Sequence, residues 1–190
     1  MAIDVYRICL ARAAMPGCAN AALRAIVAMR LGRDVELELD PRGKPQLASR
    51  ELEVSVSHSG ELALIAISDA GAIGVDVEQV RPLRDARAFT RRFFSAAEAA
   101  EAGDELARIV RIWCRKEALL KARGIGLVMP LAAVDVRGSP PGWFIADLDV
   151  APGYAAAIAR AGEPAEVRVI DYSADSVREA SPAIARNSSR

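Results

Sequence analysis

The run Gly74-Val75-Asp76-Val77-Glu78 restricts what this chain can fold into more than any other stretch of it. Alternation with period two reads as a β-strand with both valines on one face and Asp76 and Glu78 side by side on the other. Acids are poor strand formers, and like charges sharing a face repel. Any fold that holds this strand must therefore turn the acidic face to water or neutralise it with a cation or hydrogen-bond donors. Magnesium suits the second case, because it takes oxygen ligands, keeps part of its water and bridges one or two carboxylates to substrate phosphates. A solvated strand face is the plainer alternative.

Around this strand the chain reads as a helix followed by strands, twice over. Residues 20–31 place Leu23, Ile26, Val27 and Arg30 at helical spacing, with Gly32 as the stop. Residues 35–40 alternate Val35, Leu37 and Leu39 against Glu36, Glu38 and Asp40, and end at the Pro41-Arg42-Gly43 turn. Segments 54–59 and 62–68, joined at Ser59-Gly60, complete an expected three-strand meander. After the strand at 73–80 come a helix over 85–93 and a longer helical region over 95–123, stopped by Gly124 and Gly126. Short strands are expected at 134–137, 143–150, 154–160 and 167–171. The polar, weakly periodic tail from 173 to 190 is expected to fray.

A length of 190 residues suffices to bury a core without disulfide or metal staples. With 25 basic and 25 acidic residues, nothing points to wholesale attraction to nucleic acid or to a membrane surface, so a charged partner must meet a local patch. Cys9, Cys18 and Cys114 form an odd set without a CxxC pair, which argues against a disulfide framework or structural zinc and for a reducing compartment. The opening residues carry Asp4 where an export signal wants positive charge, and no run approaches the ~18 apolar residues of a membrane span. A cytoplasmic protein is expected. Lys44, Lys116 and Lys121 are the only lysines, and a lysine retained in an arginine-rich chain marks a place for a compact, flexible point charge.

On the long helix Leu106, Ile109, Val110, Trp113 and Leu120 mark an apolar stripe, with Arg108, Arg111 and Arg115 opposite. Glu117 falls within the stripe and Lys121 lies one turn further on, so a carboxylate and an ammonium face protein. An ordinary exposed (i, i+4) pair is the plainer reading; the inward side counts against it, and a third inward acid could complete a metal site with Asp76 and Glu78. His58, the only histidine, shares a strand face with Val54 and Val56, while Ser55, Ser57 and Ser59 share the other. A lone histidine on an apolar face is commonly a core residue. Here Ser57, Ser59 and the Ser59-Gly60 turn add hydroxyl and amide donors of the kind that bind phosphate. Gly43-Lys44-Pro45-Gln46 is a tight turn with a cation, without the pattern of a nucleotide P-loop.

These motifs occur in a telling order: Gly43-Lys44-Pro45, Val56-Ser57-His58-Ser59, Gly74 to Glu78, Arg92-Phe93-Phe94-Ser95 with Glu98, then Trp113 to Lys121 followed by Gly124-Ile125-Gly126-Leu127. Together they resemble the 4′-phosphopantetheinyl transferase superfamily, in its longer, carrier-protein-activating Sfp-type class, over about residues 23–158. The resemblance implies an α+β fold of two similar lobes in a pseudo-dimer, each a small antiparallel sheet with packed helices. The lobes would span 1–71 and 72–172, with the donor between them.

It further implies transfer of the phosphopantetheine arm of coenzyme A to a serine of an apo acyl or peptidyl carrier protein, with release of adenosine 3′,5′-bisphosphate. By that likeness Asp76, Glu78 and Glu117 hold Mg2+, Glu117 takes the serine proton and Lys121 meets the pyrophosphate. Ser57 and His58 contact phosphates, and Lys44 with Pro45 frames the adenine end. Lys116, about 100° round the helix from Glu117, has a secondary role. Arg84, Arg87, Arg91, Arg92, Arg108, Arg111 and Arg115 are candidates to dock an acidic carrier, each also readable as a solvated face. A monomer is expected. One departure concerns the start: the class carries a longer basic stretch and an acid-x-x-Arg helix opening, whereas here fewer than twenty residues precede a helix opening Cys18-Ala19-Asn20-Ala21. Arg7, Arg12 and Arg24 are the candidates to compensate. The competing readings are a non-catalytic module binding coenzyme A or a carrier, and a Mg2+-dependent phosphohydrolase acting on a free nucleotide.

Overall fold

Strand β5 (Leu62–Ser68) is buried along its whole length, and this continuous apolar run organises the first half of the fold. The computed structural model describes residues 2–10, 18–126 and 130–173. In it β5 pairs antiparallel with β4 (Glu53–Ser59) on one side and β1 (Ile3–Cys9) on the other. One face, with Tyr6, Ile8, Val54, Ile65 and Ile67, packs on Leu23, Ile26 and Val27 of α1 (Cys18–Leu31). The opposite face, with Ile3, Val5, Leu62 and Leu64, packs on a second sheet. That sheet has the order β6-β8-β7, from β6 (Ile73–Gln79), β7 (Trp143–Asp147) and β8 (Tyr154–Ala161). It presents Ile73, Val75, Val77 and Ile158 to the first sheet. Its other face carries the helices, so the layers run α1, sheet, sheet, helices.

The helical region expected over 95–123 is two helices. Helix α2 (Ala86–Phe93) is capped by Asp85, whose side chain accepts from Ala88 N. Helix α3 (Ala96–Ala102) opens on a capping box between Ser95 and Glu98. Gly103, at φ 55°, then breaks the run before α4 (Leu106–Arg123), which ends on Gly124 in the left-handed conformation. Ile109, Ile112, Cys114, Ala118 and Leu119 of α4 are buried against α2, α3 and β8.

The structure corrects the expected meander. Residues 37–39 do not join β4 and β5; as β2 (Leu37–Leu39) they pair only with β3 (Pro45–Leu47) in a separate ribbon. The cause is local: Asp40 Oδ1 accepts from Arg42 N and Lys44 N, both at 2.8 Å, and closes a tight turn. The strand expected at 134–137 is absent as well. A 3-10 turn over Leu131–Ala133 precedes it, and Val136 N donates to the Glu98 carboxylate rather than to a neighbouring strand.

The expected lobe boundary near Gly71 falls in the turn between β5 and β6, where Gly71 takes φ 96°. The last strand, β9 (Val167–Asp171), crosses back and pairs parallel with β1, so the first sheet reads β4-β5-β1-β9. Arg7 clasps Asp171 with two hydrogen bonds, at 2.6 and 2.8 Å, and Arg168 meets Asp4. Among the described residues no helix is long and apolar enough to cross a membrane. Arg12, Leu127 and the tail from 174 onward lie outside the described residues.

Candidate active site

Gly74 determines how closely helix and strand approach. A Cβ there would lie 2.0 Å from Ala118 O and 2.5 Å from Ala122 N, so only glycine lets α4 settle directly on β6. Strand alternation turns Val75 and Val77 into the core between the sheets and leaves Asp76 and Glu78 under α4. Helical spacing brings Cys114, Glu117 and Lys121 down on the same side.

The two acids of β6 are held from the opposite direction by β4, whose serine face lies along the free edge of β6. Ser55, Ser57 and Ser59 hydroxyls accept from Val75 N, Val77 N and Gln79 N at 3.1, 3.3 and 3.1 Å. Side-chain oxygens thus take the place of a neighbouring strand's carbonyls and satisfy an edge that would otherwise be open. Ser57 Oγ also donates to Asp76 Oδ1 at 2.9 Å, and Ser59 Oγ donates to Glu78 Oε2 at 2.7 Å.

Lys121 completes this cluster. Its ammonium donates to Asp76 Oδ1 at 2.7 Å, Ser57 Oγ at 2.9 Å and Val75 O at 3.1 Å, using all three protons. Asp76 is 4% exposed, and its second oxygen, Oδ2, is buried without a partner among the described residues. The same holds for Glu117 Oε1. Burial, and then the neighbouring charges of Asp76 and Glu78, raise the Glu117 carboxyl above its ordinary value against the opposing pull of Lys121. Cys114 lies against Asp76 too: burial first, then Asp76, pushes its thiol far up, and Sγ donates to Ala155 O at 3.3 Å. No three Asp, Glu, His or Cys side chains among the described residues are already grouped as a metal cage. The acids supply hard oxygen donors, two of them buried and unsatisfied, which is the chemistry a divalent oxygen-loving cation requires.

Beside this cluster a cleft of about 250 Å3 opens between the β2–β3 turn and the end of α4. Lys44, Pro45, Ser55, Glu117, Lys121 and Gly124 line it. Lys44 donates to Ile73 O and Lys121 O, both at 3.1 Å, and so ties the turn to β6 and α4. Burial lowers its pKa, with Glu53 and Asp40 pulling the other way.

The structure therefore sets Ser57, Asp76 and Lys121 in direct contact, puts Glu78 on Ser59 and Glu117 nearby on α4 without grouping the three acids as a cage, and places Lys44 and Pro45 on the adjoining cleft. His58 shares the valine face as expected but stands exposed at the end of β4, outside the core. Lys116 points elsewhere, into a buried pair with Glu98 at 2.7 Å. Arg84, Arg87, Arg91 and Arg92 are exposed on and before α2. Arg115 is fastened within the fold by two 2.6 Å bonds to Asp147 and further bonds to Val136 O and Arg137 O, while Arg108 and Arg111 pair with Glu105 and Glu101. Arg7 is engaged by Asp171 and Val150 O. Nothing in the local spacing marks Cys114 as part of the site, and Ser59 reads there only as a donor for phosphate. The shared face of the three serines was visible in the alternation; the strand opposite was not.

Comparison with known proteins bears on the same segment. A profile described as the 4′-phosphopantetheinyl transferase superfamily matches residues 72–160. The chain is similar to the 4′-phosphopantetheinyl transferase HetI of Nostoc sp., 33% identical over 161 residues that cover 74% of this chain and 68% of that one. It is also similar to AcpT of Salmonella typhi, 36% identical over 118 residues, and to Sfp of Bacillus subtilis, 26% identical over 159. The match covers 59% of this chain and 61% of the length of AcpT, and 73% of this chain and 70% of Sfp. On these likenesses, the chain belongs to the 4′-phosphopantetheinyl transferase superfamily.

Proposed function

We propose that the chain transfers the 4′-phosphopantetheine arm of coenzyme A to a serine hydroxyl of an apo acyl or peptidyl carrier protein, releasing adenosine 3′,5′-bisphosphate. The observation that carries this reading is the setting of Glu117 and Lys121, from one helix, over Asp76 beside the Lys44–Pro45 cleft. Asp76, Glu78 and Glu117 would hold Mg2+, which when bound neutralises the oxygens of the donor's pyrophosphate. The partnerless buried oxygens of Asp76 and Glu117 support that ligand set.

Glu117 takes the proton of the carrier serine as the serine oxygen attacks the β-phosphorus of the donor. The phosphorus–oxygen bond to the departing bisphosphate breaks, and Lys121 turns its ammonium to the pyrophosphate and steadies the charge that develops. His58, exposed at the end of β4, contacts a phosphate, and Ser57 joins it when Lys121 turns away and frees its hydroxyl. Lys44 and Pro45 frame the adenine end. The exposed Arg84, Arg87, Arg91 and Arg92 attract an acidic carrier and speed encounter. A two-lobed pseudo-dimer acting as a monomer in the cytoplasm belongs to the same reading.

The test incubates the chain with coenzyme A, Mg2+ and a panel of apo carrier proteins and weighs the carriers. One added phosphopantetheine mass is expected, and none when a chelator is present from the start. Glu117→Gln should lower the transfer rate by about 10²- to 10⁴-fold with the circular dichroism spectrum unchanged; near-normal turnover would reject Glu117 as base. A second reading, a non-catalytic module binding coenzyme A or a carrier, is favoured by the Lys121 ammonium, which already neutralises Asp76 through Oδ1. Donor binding insensitive to chelator, with no carrier adduct, would select it.

A further inference from the structure

The three serine rungs between β4 and β6 are built alike but do not do the same work. At each rung a hydroxyl accepts the backbone N–H of every second β6 residue, Val75, Val77 or Gln79. Its own proton is aimed at the side chain one residue earlier. For Ser57 that side chain is Asp76 and for Ser59 it is Glu78. For Ser55 it is Gly74, which has none.

Ser57 is saturated, since it accepts from Val77 N and Lys121 and donates to Asp76. Ser59 has no ammonium beside it, and its hydroxyl proton is the only hydrogen bond found on the Glu78 carboxylate among the described residues. The strand end that carries Ser59 is itself pinned. A Cβ on the following Gly60 would lie 2.7 Å from the Tyr154 hydroxyl and 3.0 Å from Gln79 Oε1, and Glu61 N donates to Tyr154 at 3.2 Å. Ser59 is thus a fixed point from which Glu78, half-buried and otherwise free to rotate, is oriented.

We infer that Ser59 is a positioning residue for Glu78: it accepts from the β6 backbone, donates to Oε2 and holds the carboxylate under α4 in the orientation in which it binds a divalent cation. The inference rests on the proposed cation-binding role of Asp76, Glu78 and Glu117. It reassigns Ser59 from a phosphate donor to a support for the acid.

Ser55 supplies the control, because Ser55→Ala removes a rung but touches no carboxylate. The experiment titrates the full chain with Mg2+ by calorimetry, with and without coenzyme A, and records Tm, for wild type, Ser59→Ala, Ser59→Thr and Ser55→Ala. Ser59→Ala should weaken Mg2+ binding by about tenfold or more, the usual effect of removing a group that orients a metal ligand. Ser59→Thr should restore it, Ser55→Ala, read only without coenzyme A because Ser55 lines the cleft, should leave it within about twofold of wild type, and both alanine variants should lower Tm by similar amounts. Wild-type Mg2+ affinity in Ser59→Ala, or equal loss in Ser55→Ala, overturns the positioning role while leaving the transferase reading intact. Wild-type protein that binds no Mg2+ in either condition overturns the cation role of the acids and this inference with it.

Discussion

Helix α4 carries two lysine–carboxylate pairs of equal length, Lys116–Glu98 and Lys121–Asp76, each at 2.7 Å. Their surroundings are opposite. The Lys116 and Glu98 side chains are both fully enclosed, and every strong hydrogen-bonding atom of the pair is used. Lys116 donates to Leu131 O and Val134 O, while Glu98 accepts from Ser95 N through Oε2 and from Val136 N through Oε1. That network staples the irregular 131–136 segment and the start of α3 to α4. Lys121 also spends all three protons, but the carboxylate it meets keeps one buried oxygen without a partner among the described residues, and the lysine side chain is 29% exposed on its cleft. A closed polar network makes structure, and an incomplete one beside a cleft is placed to take a ligand.

The largest break in this comparison should come from Lys116→Met. It leaves Glu98 buried and uncompensated, and should cost about 3–5 kcal/mol of unfolding free energy in urea titration. Added Mg2+ should return none of it.

Lys121→Met should do the reverse. Transfer should fall by about 10²-fold or more. The stability lost by leaving Asp76 beside Glu117 should be smaller than for Lys116→Met, and millimolar Mg2+ should recover it, because a cation binding only the folded state stabilises that state. Equal stability losses in the two variants, or equal indifference to Mg2+, would remove the distinction between the pairs.

An exposed pair sharpens the contrast from the other end. The Arg7 guanidinium holds the Asp171 carboxyl below its ordinary value. Its contribution is therefore present above the usual carboxylate range and lost as pH falls through the depressed folded pKa. Asp171→Asn should give the smallest effect of the series: a slight loss at pH 7 that shrinks as unfolding titrations are taken down through and below the ordinary carboxylate range, since solvent screens such a pair.

Much of the site was legible because its spacing is local. Period two placed Asp76 and Glu78 on one face of β6, and helical spacing placed Glu117 and Lys121 on one face of α4. Gly74 could be read only as part of a motif, because the contact that requires glycine comes from Ala118 and Ala122 on the helix above. Helical spacing sets Lys121 one turn beyond Glu117 and gives Lys116 only a secondary role, without showing what Lys116 meets. The partner of Lys116, Glu98, lies on a separate helix beyond the Gly103 break and was legible only as a capping-box acid.

By itself, then, the order of residues determined the acidic strand face, the inward acid and ammonium of the long helix, and the turns at Asp40 and Ser59-Gly60, since each depends on neighbours within a few positions. Only the tertiary structure decided that β9 returns to β1, that the serine face of β4 closes the edge of β6, and which lysine builds the fold and which faces the cleft. Those outcomes depend on which edges and buried charges find partners across the chain, and a backbone N–H or a carboxylate has the same local spacing whichever distant group satisfies it.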